Sequence, residues 1–188
     1  MGRMREAEQQ VDRLLNEDPH NLFFGNVAGA YLLAAGKPKE AEARQKQVLE
    51  LDSNYWLPWG WLSFQYLREG RLAEAIEMAE RARSLAGWNP CVAGMLAGLL
   101  ERTGNEARAQ ALPERLGDGT AFGAAAGFMS YYAALGDAGR AVDWFEKSIE
   151  QRDTRCPWIF PHMLGPVILS SPRWPEMAPK MNLPVVAR

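Results

Sequence analysis

Cys91, Cys156, His20 and His162 carry the most reactive side chains in this sequence, and their spacing supports little chemistry. Neither histidine has a second His or Cys at the separation a zinc site uses, so no metal is expected. Cys156 and His162 could form a thiol–imidazole pair with the ring nitrogen as base. They stand in a proline-rich stretch, however, and read as two unrelated residues. No G-x-S-x-G turn, phosphate loop or dinucleotide fingerprint occurs. Carboxylates are numerous, but Glu40, Glu42, Glu50, Glu74, Glu77 and Glu80 fall on helix faces that read as solvated. The chain is therefore expected to be no enzyme and to carry no cofactor. What remains is recognition, which depends on the elements that present the side chains.

Those elements repeat. Gly36, Gly70 and Gly104 stand 34 residues apart, each followed five residues later by Ala41, Ala75 or Ala109. A fixed period of this length is the mark of stacked supersecondary units, none of which buries its apolar face alone. The glycines fall where the first helix of each unit should stop, since glycine accepts the left-handed conformation of a helix end. Gly29, Ala41 and Ala75 fall where two helices of a unit approach closely. The second unit has Trp59, Leu62, Ser63, Tyr66, Gly70, Ala75 and Ala82. This pattern resembles the tetratricopeptide consensus, with Ser63 in place of its glycine and Ala79 in place of its phenylalanine.

The resemblance implies an all-α fold of helix-turn-helix repeats stacked as a right-handed superhelix. Four repeats are expected over residues 21–151, at about 21–54, 55–88, 89–120 and 121–151. The first is degenerate, with Gly25 and Leu32 at the aromatic positions. The fourth carries Tyr131, Tyr132, Gly136, Ala141 and Phe145 two residues out of phase, a slip assigned to the Gly117–Thr120 turn. Residues 4–18 read as a lone second helix, with Met4, Ala7, Val11, Leu14 and Leu15 on one stripe. A half-unit start suggests a segment of a longer protein.

In the resembled family the first helix of each repeat lines a concave groove. Its contact positions map onto Phe23, Asn26, Ala30, Leu33 and Ala34, then Leu57, Gly60, Phe64, Leu67 and Arg68, then Cys91, Gly94, Gly98, Glu101 and Arg102. This inventory suits an extended or helical peptide with aliphatic side chains. Phe23 and Phe64 would anchor it, and Arg68 and Arg102 would pair with its acidic groups. Phe64→Ala is accordingly expected to weaken binding and leave the fold intact. The Lys/Asn/Arg clamp of tetratricopeptide co-chaperones does not map: apart from Asn26, the positions carry Ala30, Trp61, Cys91 and Met95. Trp56 and Trp61 exceed the consensus. They either fill space left by Gly25, Gly60 and Gly94 or extend an aromatic patch into the groove.

From Cys156 onward the period stops, and seven prolines run from Pro157 to Pro184. Proline at this density excludes a long helix, yet Trp158, Phe160 and Trp174 argue against a solvated tail. Residues 152–188 are expected to cap the helix Arg140–Gln151. The run from Ala134-Leu135-Gly136-Asp137 through Trp144-Phe145-Glu146-Lys147-Ser148 to Ser171-Pro172-Arg173-Trp174, closing on Asn182-Leu183-Pro184, is similar to the terminal repeat of bacterial multidomain regulators. That likeness implies a regulatory array beside a cyclase, kinase or DNA-binding domain. Pro175 and Pro179 depart from it and speak against a regular helix after Ser171.

Composition narrows the partner. With 21 Lys and Arg against 23 Asp and Glu, the net charge is −2. No basic stripe with interleaved aromatics appears, so nucleic acid is not an expected partner. No apolar run reaches membrane-spanning length. Two distant cysteines fit a reducing cytoplasm better than a disulfide framework. The expected function is a protein- or peptide-binding module. A small-molecule sensor built on the aromatic groove and a self-associating module, stacking through the half-repeat, are the alternatives.

Overall fold

Helix starts keep the beat of the sequence. The computed structural model describes residues 4–109, 116–155, 168, 169 and 171–181. Its helices are α1 (Met4–Glu17), α2 (Leu22–Ala34), α3 (Pro38–Leu51), α4 (Trp56–Arg68), α5 (Leu72–Leu85), α6 (Pro90–Arg102), α7 (Glu106–Ala109), α8 (Ala124–Leu135), α9 (Ala138–Glu150) and α10 (Trp174–Met177). Leu22, Trp56 and Pro90 open helices at 34-residue steps, as do Pro38, Leu72 and Glu106. No strand occurs among the described residues.

Local chemistry sets the starts and stops. Asn21 and Asn89 cap α2 and α6, their side-chain oxygens accepting from Phe24 N at 3.1 Å and Cys91 N at 2.9 Å. Pro38 and Pro90 occupy first-turn positions, where the missing N–H costs nothing. Gly36, Gly70 and Gly104 have φ of 77°, 75° and 81°. Their N–H groups donate to Leu33, Leu67 and Glu101, and the next residues donate to Leu32, Tyr66 and Leu100, which closes the same two-bond stop three times.

The chain forms two compact units, Met1–Ala86 and Gly87–Arg188. In the first, α1 packs on α2, and the hairpins α2–α3 and α4–α5 pack in turn. Small residues lie at the crossings. Ala41 and Ala75 are buried, and Ser63 donates its hydroxyl to Ala75 O at 2.8 Å across the α4–α5 pair.

In the second unit α6 packs most extensively on α8, and α8 on α9. Every residue from Cys91 to Leu100 is buried. The two missing residues of the fourth repeat are not lost at Gly117–Thr120. Helix α8 begins 34 residues after α6, but it has 12 residues against 13, and its turn to α9 has two residues, Gly136 and Asp137, against the three from Thr103 to Asn105. The slip is thus taken up inside the hairpin, where Gly136 at φ 95° allows the tighter turn.

Helix α9 ends with the same two-bond stop on a residue other than glycine. Arg152 has φ 54°, its N–H donates to Ile149 O at 2.9 Å, and Asp153 N donates to Ser148 O at 3.0 Å. A side chain in this conformation costs roughly 1 kcal/mol. Arg152→Gly is therefore expected to stabilise the protein by about that amount, read as a higher urea midpoint at unchanged m value.

Beyond α9, Ile168, Trp174, Met177 and Ala178 are buried. Arg173 pairs with Asp143 and Glu146 of α9, and Lys180 with Glu146 at 2.7 Å. Helix α10 is one turn long with Pro175 in its first turn, and a 3-10 turn, Ala178–Met181, carrying Pro179 follows it. The stretch around Cys156 and His162, with Trp158 and Phe160, lies outside the described residues, as does Asn182-Leu183-Pro184.

Candidate functional site

The resemblance maps the first helix of each unit onto one groove, with Trp61 as a possible extension, and the structure separates the candidates by burial. Phe23 is 48% exposed, Leu57 is half-buried and Arg68 is exposed, all on α2 and α4 of the first unit. Asn26, Trp61 and Phe64 are core residues, with 0%, 4% and 2% exposure. The Asn26 side-chain amide has no hydrogen-bond partner among the described residues, while its main-chain oxygen accepts from Gln45 Nε2 at 3.1 Å. Phe64 is therefore corrected from surface anchor to core, and Asn26 and Trp61 with it. Helix periodicity tells which residues share a stripe but not which part of the stripe a neighbour covers.

Glu101 and Arg102 belong to the second unit, where both are engaged by α8. Glu101 accepts the Tyr131 hydroxyl, and Arg102 Nη1 donates to Ala134 O at 3.3 Å. Gly94 and Gly98 beside them are contact points rather than groove floor. A Cβ at Gly94 would meet Gly127 O and C and Tyr131 N, and one at Gly98 would meet Tyr131 O and the Ala134 side chain. Contacts that advance together along both helices show that α6 and α8 run parallel with their backbones touching. Burial among these helices pushes the Cys91 thiol up to about 12, so it stays protonated and unreactive at neutral pH.

The extra tryptophans do not fill the glycine spaces. Val48 takes the space at Gly25, and the backbone of α8 takes that at Gly94. Gly60 is different: a Cβ there would meet nothing within 4 Å. It lies one turn from Leu57 and one turn from Phe64, so this part of the α4 stripe opens onto free space between a half-buried leucine and the core.

A second concavity lies on the other side of the hairpins, where the sequence suggested only a solvated face. It measures about 450 Å³ and runs between α3, α4 and α5. Leu49, Leu62 and Met78 line its apolar part, Trp59 and Tyr66 contribute rings, and Lys46, Glu50, Glu74 and Glu77 its charge. The Trp59 indole is held by its Nε1–H, which donates to Ser53 O at 2.9 Å. Glu42 gathers Lys46 at 2.7 Å and the Tyr66 hydroxyl at 2.9 Å, and Lys46 first of all holds its carboxyl below the usual range. Glu74 is taken by Arg71. Glu50 and Glu77 have no ion pair or hydrogen bond among the described residues. The cleft arises from the packing of three successive helices, which helix periodicity alone does not give.

A tetratricopeptide repeat family model matches residues 66–127. The fold is that of an all-α tetratricopeptide solenoid. The matched stretch runs from the last turn of α4 to the first turn of α8, about a third of the chain, and supports the family. No curated protein matches the sequence. Arrays of this type generally mediate protein–protein interaction and are typically non-enzymatic. Among the described residues no three His, Cys, Asp or Glu side chains are grouped to hold a metal, and no helix is long and apolar enough to cross a membrane.

Proposed function

We propose that the protein is an interaction module that receives a peptide or a neighbouring domain on the α2–α4 face of its first unit. The open space over Gly60 carries this reading. Glycine inside a helix costs about 1 kcal/mol relative to alanine, and it ordinarily occurs where another group comes close. Nothing comes close here, so the packing of this chain alone offers no return for that cost. Space beside Leu57, with Phe23 and Arg68 exposed on the same pair of helices, suits an apolar side chain of a partner followed by an acidic one. The small-molecule alternative asks for a closed aromatic pocket around Trp61 and Phe64, and both side chains are spent on the core. The likeness of the C-terminal segment to bacterial multidomain regulators supports a cytoplasmic regulatory setting.

Panning a peptide library against the whole chain tests the site. Selected peptides are expected to bind Gly60→Trp and Arg68→Glu at least about tenfold more weakly than wild type, while neither variant melts below wild type. Peptides that bind all three proteins equally would place recognition elsewhere.

A further inference from the structure

The cleft between α3, α4 and α5 has features the Gly60 face lacks: an aromatic wall, an apolar floor and two carboxylates in no ion pair among the described residues. We propose that it is a second docking site, and that its occupant is an arginine side chain on an extended segment of a partner protein.

Charge selects the partner. Glu50, Glu74, Glu77 and one cation, Lys46, line the cleft, a formal −2 that falls to −1 when Arg81 beside the Trp59 ring is counted. Lys46 is committed to Glu42, and Glu74 to Arg71, so the charge left for a visitor is that of Glu50 on α3 and Glu77 on α5. An anionic partner is repelled, and a neutral one leaves both carboxylates unpaired as it displaces water from around them.

Shape and surface then favour arginine over a compact ammonium. Leu49 and Met78, both half-buried, offer apolar area for a side-chain stem, whose charged end stays at the rim. The Trp59 indole offers a ring for a planar cation to stack on, a contact that arginine makes with the same group that pairs with carboxylates. The chain's own Arg81 stands 6.0 Å from the centre of that ring, at the outer limit of such a contact, and also donates to Asn54 Oδ1 at 3.3 Å. The indole is thus approached by a guanidinium but not closely stacked. A cleft of about 450 Å³ falls within the range of small-ligand sites, which leaves room for residues beside the arginine.

The site is independent of the α2–α4 face, so each can be tested alone. The probe is the tripeptide acetyl-Leu-Arg-Leu-amide, titrated into the isotope-labelled full chain and followed by nuclear magnetic resonance. Its neutral counterpart has citrulline in place of arginine. The arginine peptide is expected to shift the Trp59 indole N–H and the amides of Glu50, Glu77 and Met78, with weak but saturable binding that added salt reduces. The citrulline peptide should bind about tenfold more weakly or less, and the Glu50→Gln/Glu77→Gln variant should lose a similar factor for the arginine peptide. Those carboxylates are exposed and unpaired, so the variant keeps its fold, which the unchanged remainder of the spectrum verifies. Equal shifts from both peptides, shifts confined to Phe23, Leu57 and Gly60, or undiminished binding to the double variant would each overturn the proposal.

Discussion

Gly94→Val is expected to disrupt the second unit at a cost of about 3 kcal/mol or more, the upper range for overpacking. The first added carbon already falls within contact distance of Gly127 O, and its other neighbours are Gly127 C and Tyr131 N. These are backbone atoms of α8, so no rotamer change can make room. To admit the side chain, α6 and α8 have to separate, which also strains the Glu101–Tyr131 and Arg102–Ala134 hydrogen bonds. Thermal unfolding followed by circular dichroism should show a midpoint lower by on the order of 10 °C. Gly60→Ala provides the matched control, since it adds the same first carbon to a helix where nothing is within 4 Å. It should raise stability by up to about 1 kcal/mol through helix propensity alone. If both glycines respond alike, the close α6–α8 approach is wrong.

Phe64→Ala is expected to cost about 3–5 kcal/mol, because it empties one of the largest fully buried side chains of the protein. The register of α4 had suggested the opposite, a binding defect on an intact fold. A urea titration decides between them. A midpoint far below wild type marks a core residue, and a change under about 1 kcal/mol would restore Phe64 to the groove. Binding measurements on this variant carry no information about an interface until that is known. Gly60 and Arg68 are the cleaner probes, since one adds volume to open space and the other changes an exposed charge.

Sequence and tertiary structure divided the determination of this protein along physical lines. The repeat was legible because its causes are local. A glycine at the helix stop, an asparagine or proline at the start, and alanine or serine at the crossing act within one unit, and Gly36, Gly70 and Gly104 adopt the positive φ that their spacing implied. The family resemblance is supported by the match over residues 66–127, which takes in Tyr66, Gly70 and Ala75 and leaves Trp59 and Leu62 outside. Even the two-residue slip could be seen, though its location inside the α8–α9 hairpin could not, because either turn could absorb it.

Burial was not legible, because it belongs to the neighbours of a helix rather than to the helix. Phe64 and Leu57 occupy the same stripe of α4, yet one is core and the other half-exposed. Gly60 and Gly94 are both helical glycines, yet one opens onto empty space and the other onto the backbone of α8. Glu50 and Glu77 looked like ordinary solvated carboxylates until α3 and α5 were set on either side of Trp59. By itself the sequence determined the helices, their order and their stops, since hydrogen bonding and backbone conformation act over a few residues. Only the tertiary structure decided which faces are closed and which remain open to a partner, since contacts between residues tens of positions apart depend on the size of every side chain between them.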